Sequence, residues 1–399
     1  MENFRAYRAQ LIAKAFELQF EDARHFYYKN FKYLGNVCFV FACGNGNITL
    51  PKFNKSSTVC INNFFTKSKM AIINNASYLS FLTKQRVVMP VEFVISLDTQ
   101  ILSYLYRKSK GQSSELPAKI EEIVKIINNK GYSIDCIAYM LENTLFNPKF
   151  IKSKLYKENI YVFESYFAKN AKTNTKKLLN IQQKLQKQNY GIHLKMIYKQ
   201  IYLALLVMVD LTLNHKSLDV YTRELKFLEY FHENIHLVPE REANLAKLYF
   251  LYDRKIKFFG KIQKGRTDMI KNLQNMAWDI FHIHNTMYSA ATPTAFQTSI
   301  VIPLFITFDN RLKDIFPLYQ INACAYIENT FEYHFAYSTN LLSEDLKFKF
   351  FCLQKVMERS STRDYLKLSD EKLLYLIEQQ IKIFEGKVTP NHSLKRKLI

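Results

Sequence analysis

Two short apolar runs in this sequence each end on a carboxylate. "VEFVISLDTQILSYLY", residues 91–106, stops reading as a buried strand at Asp98-Thr99 and continues as an amphipathic helix. "LFITFDNRL", residues 304–312, repeats the construction, with Asp309 at the end of its apolar part. Parallel α/β folds place their working groups outside the carboxyl ends of the strands. If both runs are strands of one parallel sheet, Asp98 and Asp309 leave it on the same edge, with neighbouring strands about 4.8 Å apart. Carboxylates that close raise a pKa or require a counter-ion. Mg²⁺ or Mn²⁺, which take oxygen ligands, would supply it.

Two predicted helices offer further acids. Asp279 sits in "NMAWDIFHIH" among large apolar side chains. Aspartate is a poor helix-interior residue and costly to bury unpaired, so its place there asks for a reason. Glu142 sits in "CIAYMLENTLF" at the border of a core stripe of Ile137, Met140, Leu141 and Leu145. Each acid also has a plainer reading. Asp98 and Asp309 could be helix N-caps, Asp279 a buried structural hydrogen-bond partner, and Glu142 a solvated glutamate. Glu240 and Glu242 in "VPEREANLAK" compete with Glu142 for the fourth position. His282 and His284, two apart on one helix, point to different faces and read as satisfied or exposed histidines. Asp210 reads as a hydrogen-bonded core acid. Nine glycines in the whole chain leave no phosphate-cradling loop. No G-x-S-x-G elbow or Cys/His nucleophile context occurs either.

The elements that must position these acids follow from the periodicities. Residues 1–34 read as helical. "NVCFVFACGNGNITLPKF" reads as a hairpin turning at its Gly-Asn steps, and two short elements follow. Residues 1–90 therefore form an accessory α+β region. A strand, a helix at 100–109, a helix at 116–130 and "YSIDCIAYMLENTLF" as a further helix make up the first half of a core, residues 91–145. Its second half, 265–320, comprises a helix near 268–288, the linker "SAATPTAFQ" and the second acid-ended strand. Between them, 146–264 is a mostly helical insertion. The region 321–399 reads as helical with a basic tail, "HSLKRKLI".

Composition sets the partner classes. With 48% apolar and 15% aromatic residues, a disordered chain is excluded. Fifty-six Lys and Arg against thirty-five Asp and Glu give a net charge of +21, which favours polyanions, nucleic acid before an anionic membrane surface. A basic, acid-poor stretch at 169–191, including Lys176 and Lys177, is a solvated face or a nucleic-acid-tracking arm. The six cysteines are scattered without zinc spacing. The start is charged and unlike a signal peptide. The apolar run at 201–213 is too short to span a bilayer and carries Asp210. The expectation is a soluble cytoplasmic protein with reduced thiols.

Asp98, Glu142, Asp279 and Asp309, in that order, resemble the acidic quartet of PIN-domain nucleases. "SLDTQIL" is similar to the opening strand motif, though Gln100 stands where Asn is commoner, and "FITFDNRL" is similar to the closing Thr-x-Asp motif. "AWDIFHIH" resembles the helical third motif. The resemblance covers about residues 91–145 and 265–320, and the long interval from Glu142 to Asp279 departs from a minimal domain. It implies an α/β fold: a three-layer α/β/α core with a parallel sheet and a helical insertion. It also implies Mg²⁺- or Mn²⁺-dependent cleavage of phosphodiesters, in RNA before DNA. Asp98, Asp279 and Asp309 would then be metal ligands, and Glu142 would orient water or hold a second ion. The Thr99 and Thr307 hydroxyls would fix the carboxylates, while Arg311 and Lys313 would stand beside the phosphate. A toxin or antiviral defence effector, held by an inhibitory or activating protein partner or acting as a homodimer, would suit such an enzyme. A non-catalytic nucleic-acid-binding or scaffold protein on the same core is the alternative.

Overall fold

The computed structural model describes residues 2–51, 60–84, 90–112, 117–130, 132–167, 172–173, 183, 188–235, 239–262, 268–294, 300–328, 333–342, 345–346 and 370–384. The chain forms two units. The first comprises Met1–Leu179, Ile283–Asn310 and Tyr319–Thr339, and the second Asn180–His282, Arg311–Leu318 and Asn340–Ile399. The first is a mixed α/β structure with a parallel sheet; the described part of the second is helical.

In the first unit the opening residues are helical as their periodicity predicts: α1 (Glu2–Glu17), α2 (Phe20–Lys29) and α3 (Phe31–Leu34). Their apolar residues Leu11, Ile12, Ala15, Ala23 and Tyr27 pack on one face of an antiparallel sheet, against Val37, Phe39 and Phe41. Alternation along β1 (Val37–Ala42) sets that face. The expected hairpin is not formed. β1 and β2 (Ile48–Thr49) both pair with β4 (Lys69–Ile73), which lies between them. The Gly-Asn connection therefore crosses the end of β4. A Cβ on Gly46 would lie 2.1 Å from the Met70 carbonyl oxygen, so only glycine lets the two backbones approach. The sheet is completed from far along the chain by β9 (Ile321–Ile327) and β10 (Tyr333–Tyr337), in the order β10-β9-β1-β4-β2. These two strands replace the helical character expected beyond residue 320. Val37 to Phe41 register with Ile327 to Ala323, and burial of this pairing overrides local propensity.

The second sheet of this unit carries the acid-ended strands. β3 (Cys60–Asn63), β5 (Val91–Leu97), β6 (Ser133–Asp135), β7 (Lys172–Thr173) and β8 (Ile300–Thr307) take the order β3-β8-β5-β6-β7. β8, β5, β6 and β7 run parallel, and β3 is antiparallel to β8. All eight residues of β8 are buried, as a central strand of a parallel sheet requires. Pro303, tolerated where no ladder donor is needed, falls one residue before the segment paired with β3. Helices α4 (Asn75–Thr83), α5 (Thr99–Ser109), α6 (Pro117–Lys130), α7 (Ile137–Thr144) and α8 (Lys154–Phe167) follow the strands. The stretch 132–146, expected as one helix, holds the strand β6 and then α7. β6 is three residues long, too short for alternation to show. The helix expected to end near 288 continues as Met269–Thr294, so most of the expected linker is helical.

In the second unit, α9 (Gln188–Leu213) packs against α10 (Val220–Ile235), α11 (Glu240–Tyr252) and α13 (Asp370–Phe384); α12 is Met269–Thr294, which passes from this unit into the first. The apolar run expected to be too short for a bilayer belongs to this longer helix. Gly191–Leu213 is long and apolar enough to cross a membrane, but 72% of its most apolar window is buried within the protein, as in a core helix. Asp210 on it is buried and accepts a hydrogen bond from Asn214 Nδ2 at 2.7 Å. This is the core acid its context predicts. Burial pushes its carboxyl pKa up, against the lowering effect of Asn214 and His215.

Two substitutions test these packing arguments. Gly46→Ala should cost about 1–3 kcal/mol through backbone displacement, whereas Gly44→Ala, with open space at its Cβ, should be neutral in chemical denaturation. Because the folded-state pKa of Asp210 is raised, the folded protein holds the proton more tightly than the unfolded chain. The stability this contributes is full below the ordinary carboxyl value and is lost as pH rises through the folded value. Asp210→Asn should therefore unfold at higher denaturant than the parent at pH 7, with the advantage shrinking towards pH 4; an equal advantage at both pH values would refute this.

Candidate active site

Asp98 and Asp309 end adjacent parallel strands, as their shared construction predicts. Leu97 registers with Ile306, and the Asp98 N–H donates to the Ile306 carbonyl at 2.9 Å. The next position of β8 is Thr307, whose hydroxyl donates to Asp98 Oδ2 at 2.6 Å. The same Thr307 oxygen accepts the Asp309 backbone N–H at 2.9 Å. One fully buried hydroxyl therefore holds the carboxylate of one strand end and the backbone of the other. Asp98 is 4% and Asp309 7% exposed. Asp98 occupies the N-cap position of α5 with an extended backbone, yet its side chain makes no cap hydrogen bond. The carboxylate is directed to Thr307 instead, and a hydrogen bond to an ionised oxygen is among the stronger kinds.

The position of this pair follows from the winding of the sheet. From β5 the chain moves outward to β6 and β7, then returns on the other side of β5 as β8. Strand order reverses between β5 and β8, and the crevice beyond such a reversal is where open α/β sheets bind ligands.

Three neighbouring features were missed in the sequence. β6 also ends on an acid, Asp135, which is fully buried and accepts the Ile137 N–H at 3.2 Å at the start of α7. It registers with Ser96, two residues before Asp98, so it lies deeper on the same sheet face. Burial first, and the charge of Asp135 second, push the Cys136 thiol well above its ordinary range. Phe308, between Thr307 and Asp309, packs against Tyr104 of α5 with ring centroids 5.7 Å apart. The Arg107 guanidinium lies 5.9 Å from the Tyr104 ring. Spacing of Tyr104 and Arg107 at i and i+3 was the available signal.

The remaining expected site residues are placed as follows. Thr99 is half-buried, and its hydroxyl lies out of solvent with no hydrogen-bond partner among the described residues; Thr307 is the hydroxyl that holds Asp98. Glu142 is half-buried on α7 in the first unit. Asp279 is half-buried on α12 in the part belonging to the second unit; Glu240 of α11, in the same unit, is half-buried and Glu242 buried. Burial pushes the Glu242 carboxyl up. Arg311 is half-buried and Lys313 exposed on the short helical turn Asn310–Asp314. His282 and His284 are both buried; His282 stacks on Trp278, and His284 meets Tyr319 edge-on. Lys176 and Lys177 lie outside the described residues.

Among the described residues, no group of three or more His, Cys, Asp or Glu is gathered closely enough to hold a metal ion. The assembled set is the Thr307-linked Asp98 and Asp309. Such a pair fits Mg²⁺ or Mn²⁺ in donor chemistry, since Mg²⁺ is usually held by one or two carboxylates with waters and substrate phosphate oxygens. The orphaned Thr99 hydroxyl, adjacent in the chain to Asp98, is a further polar atom available there.

Removing the Thr307 hydroxyl should leave the buried Asp98 carboxylate short of a donor. Thr307→Val is expected to cost about 1–3 kcal/mol, and Thr307→Ser to keep most of the parent stability. Equal denaturation midpoints for Thr307→Val and the parent would show that the bond contributes nothing.

No protein-family model matches this chain, and no curated protein or solved structure matches it either.

Proposed function

We propose that the chain is an Mg²⁺- or Mn²⁺-dependent endonuclease that hydrolyses phosphodiester bonds, with RNA as the substrate, on a PIN-like α/β/α core. The observation that carries this reading is the pair of buried aspartates joined through Thr307 at the strand-order reversal. Asp98 and Asp309 would hold the ion. When bound, it would supply Lewis acidity, lowering the pKa of a water and offsetting charge on the phosphate and the leaving oxygen. Thr307 holds Asp98 in one orientation, as outer partners of metal ligands do. Glu142, on the helix following β6, would orient the attacking water. The net charge of +21 supports a polyanionic substrate, and a cytoplasmic location accords with free cysteines at Cys38, Cys43, Cys136 and Cys324.

Purified protein should cut a mixed-sequence RNA with Mn²⁺ or Mg²⁺ and stop on addition of EDTA. Asp98→Asn and Asp309→Asn should be folded by circular dichroism yet inactive. Thr307→Val should lose about 10–100-fold in rate, with Thr307→Ser largely restoring it. Undiminished cutting by Asp98→Asn would sink the assignment. RNA retention at low salt with no cutting under any divalent ion would favour the non-catalytic binding protein instead.

A further inference from the structure

The helices of the first unit carry aromatic rings that they do not bury. α4, "NASYLSFLT", is apolar yet has no buried residue. Phe81 is 63% and Leu82 57% exposed. Phe81 stacks on Tyr28 of α2 with centroids 4.8 Å apart and planes at 28°. Tyr28 in turn meets Tyr78 at 5.3 Å, and Tyr78 stacks on Phe31 of α3 at 3.9 Å and 24°. The Tyr28 hydroxyl donates to the Ser77 carbonyl at 3.3 Å, which fixes its ring. A second group lies on α1, where exposed Phe4 and Tyr7 pack on Tyr33 at 5.7 and 5.0 Å.

Cations are interleaved with these rings. Lys29 and Lys32 are exposed and follow Tyr28 and Phe31 directly in the chain. Lys32 Nζ stands 5.8 Å from the Tyr33 ring. Lys84, exposed, closes α4 three residues after Phe81. Exposed ring faces flanked by Lys are what a single strand requires: bases stack on the rings and phosphates pair with the ammonium groups. A second protein would match the apolar area but has no use for this many cations among the rings, since Lys is depleted in protein interfaces.

We propose that this surface is a stacking platform for single-stranded RNA, with a base on the outer face of Phe81 and phosphates at Lys29, Lys32 and Lys84. It deepens the ribonuclease reading and takes from it the choice of RNA. Its role is to hold an unpaired segment on the same unit as the aspartate pair.

Fluorescence anisotropy of a labelled 12-nucleotide oligoribonucleotide tests this, using the full chain in EDTA so that binding is read without cutting. Phe81→Ala should weaken binding about tenfold, Phe81→Trp should preserve it, and Lys29→Glu with Lys32→Glu should weaken it and flatten its salt dependence. A blunt RNA duplex should bind Phe81→Ala and parent alike. No binding by the parent, or equal affinity of Phe81→Ala and parent, would overturn the platform. So would a change of sedimentation coefficient in Phe81→Ala with RNA affinity unchanged, because the surface would then be an interface between copies of the chain. If the parent binds through Phe81 but cuts nothing with Mn²⁺, the platform stands and the ribonuclease reading falls. If the parent cuts while Phe81→Ala binds normally, the reverse holds.

Discussion

The Thr307 hydroxyl is the interaction on which the candidate site depends. It donates to Asp98 and accepts from the Asp309 backbone, so a single oxygen joins the ends of two strands 209 residues apart in the chain. A slip of one residue between β5 and β8 would turn Thr307 to the opposite face and separate it from Asp98. The register is guarded by the continuous burial of β8, in which every side chain is covered. Site and core are thus the same structural fact: the apolar residues that exclude water also fix which hydroxyl meets which carboxylate.

The two sheets of the first unit support each other through one short segment. β3 pairs with β8 in the sheet bearing the aspartates. Immediately after it, Phe65 bridges to Ile321 at the start of β9, which belongs to the other sheet. The Ile321 N–H donates to the Phe64 carbonyl at 2.8 Å, and Thr66 Oγ1 donates to Asn322 at 2.8 Å. β8, whose end leads into Asp309, is thus tied through β3 to the sheet that contains β9.

Legibility followed the range of the interactions. Asp98 and Asp309 could be found because a buried strand writes a continuous apolar run and its end is marked by the first acid. Their shared construction gave the parallel relation before any pairing was known. Asp210 was equally clear, since an acid inside "LLVMVDLTL" has few explanations. Pairings with remote partners were hidden. β9 and β10 look helical locally and become strands because β1 offers β9 a buried edge and β9 in turn pairs with β10. The false hairpin arose because β4, which separates β1 from β2, lies downstream of both. Asp135 escaped because a three-residue strand carries no period, and Glu142 and Asp279 gained no closer definition because helical acids have no marked end.

The return of β8 to the far side of β5 also has a consequence for synthesis. On the ribosome, β5 emerges some two hundred residues before β8, an interval of about ten to forty seconds at ordinary elongation rates. During that time one edge of β5 has no ladder partner, and Asp98 lacks both its hydroxyl and its fellow carboxylate. A chain stopped anywhere before residue 307 would carry a strand without the site. The aspartate pair can therefore close only once the whole segment from 188 to 294 has left the ribosome.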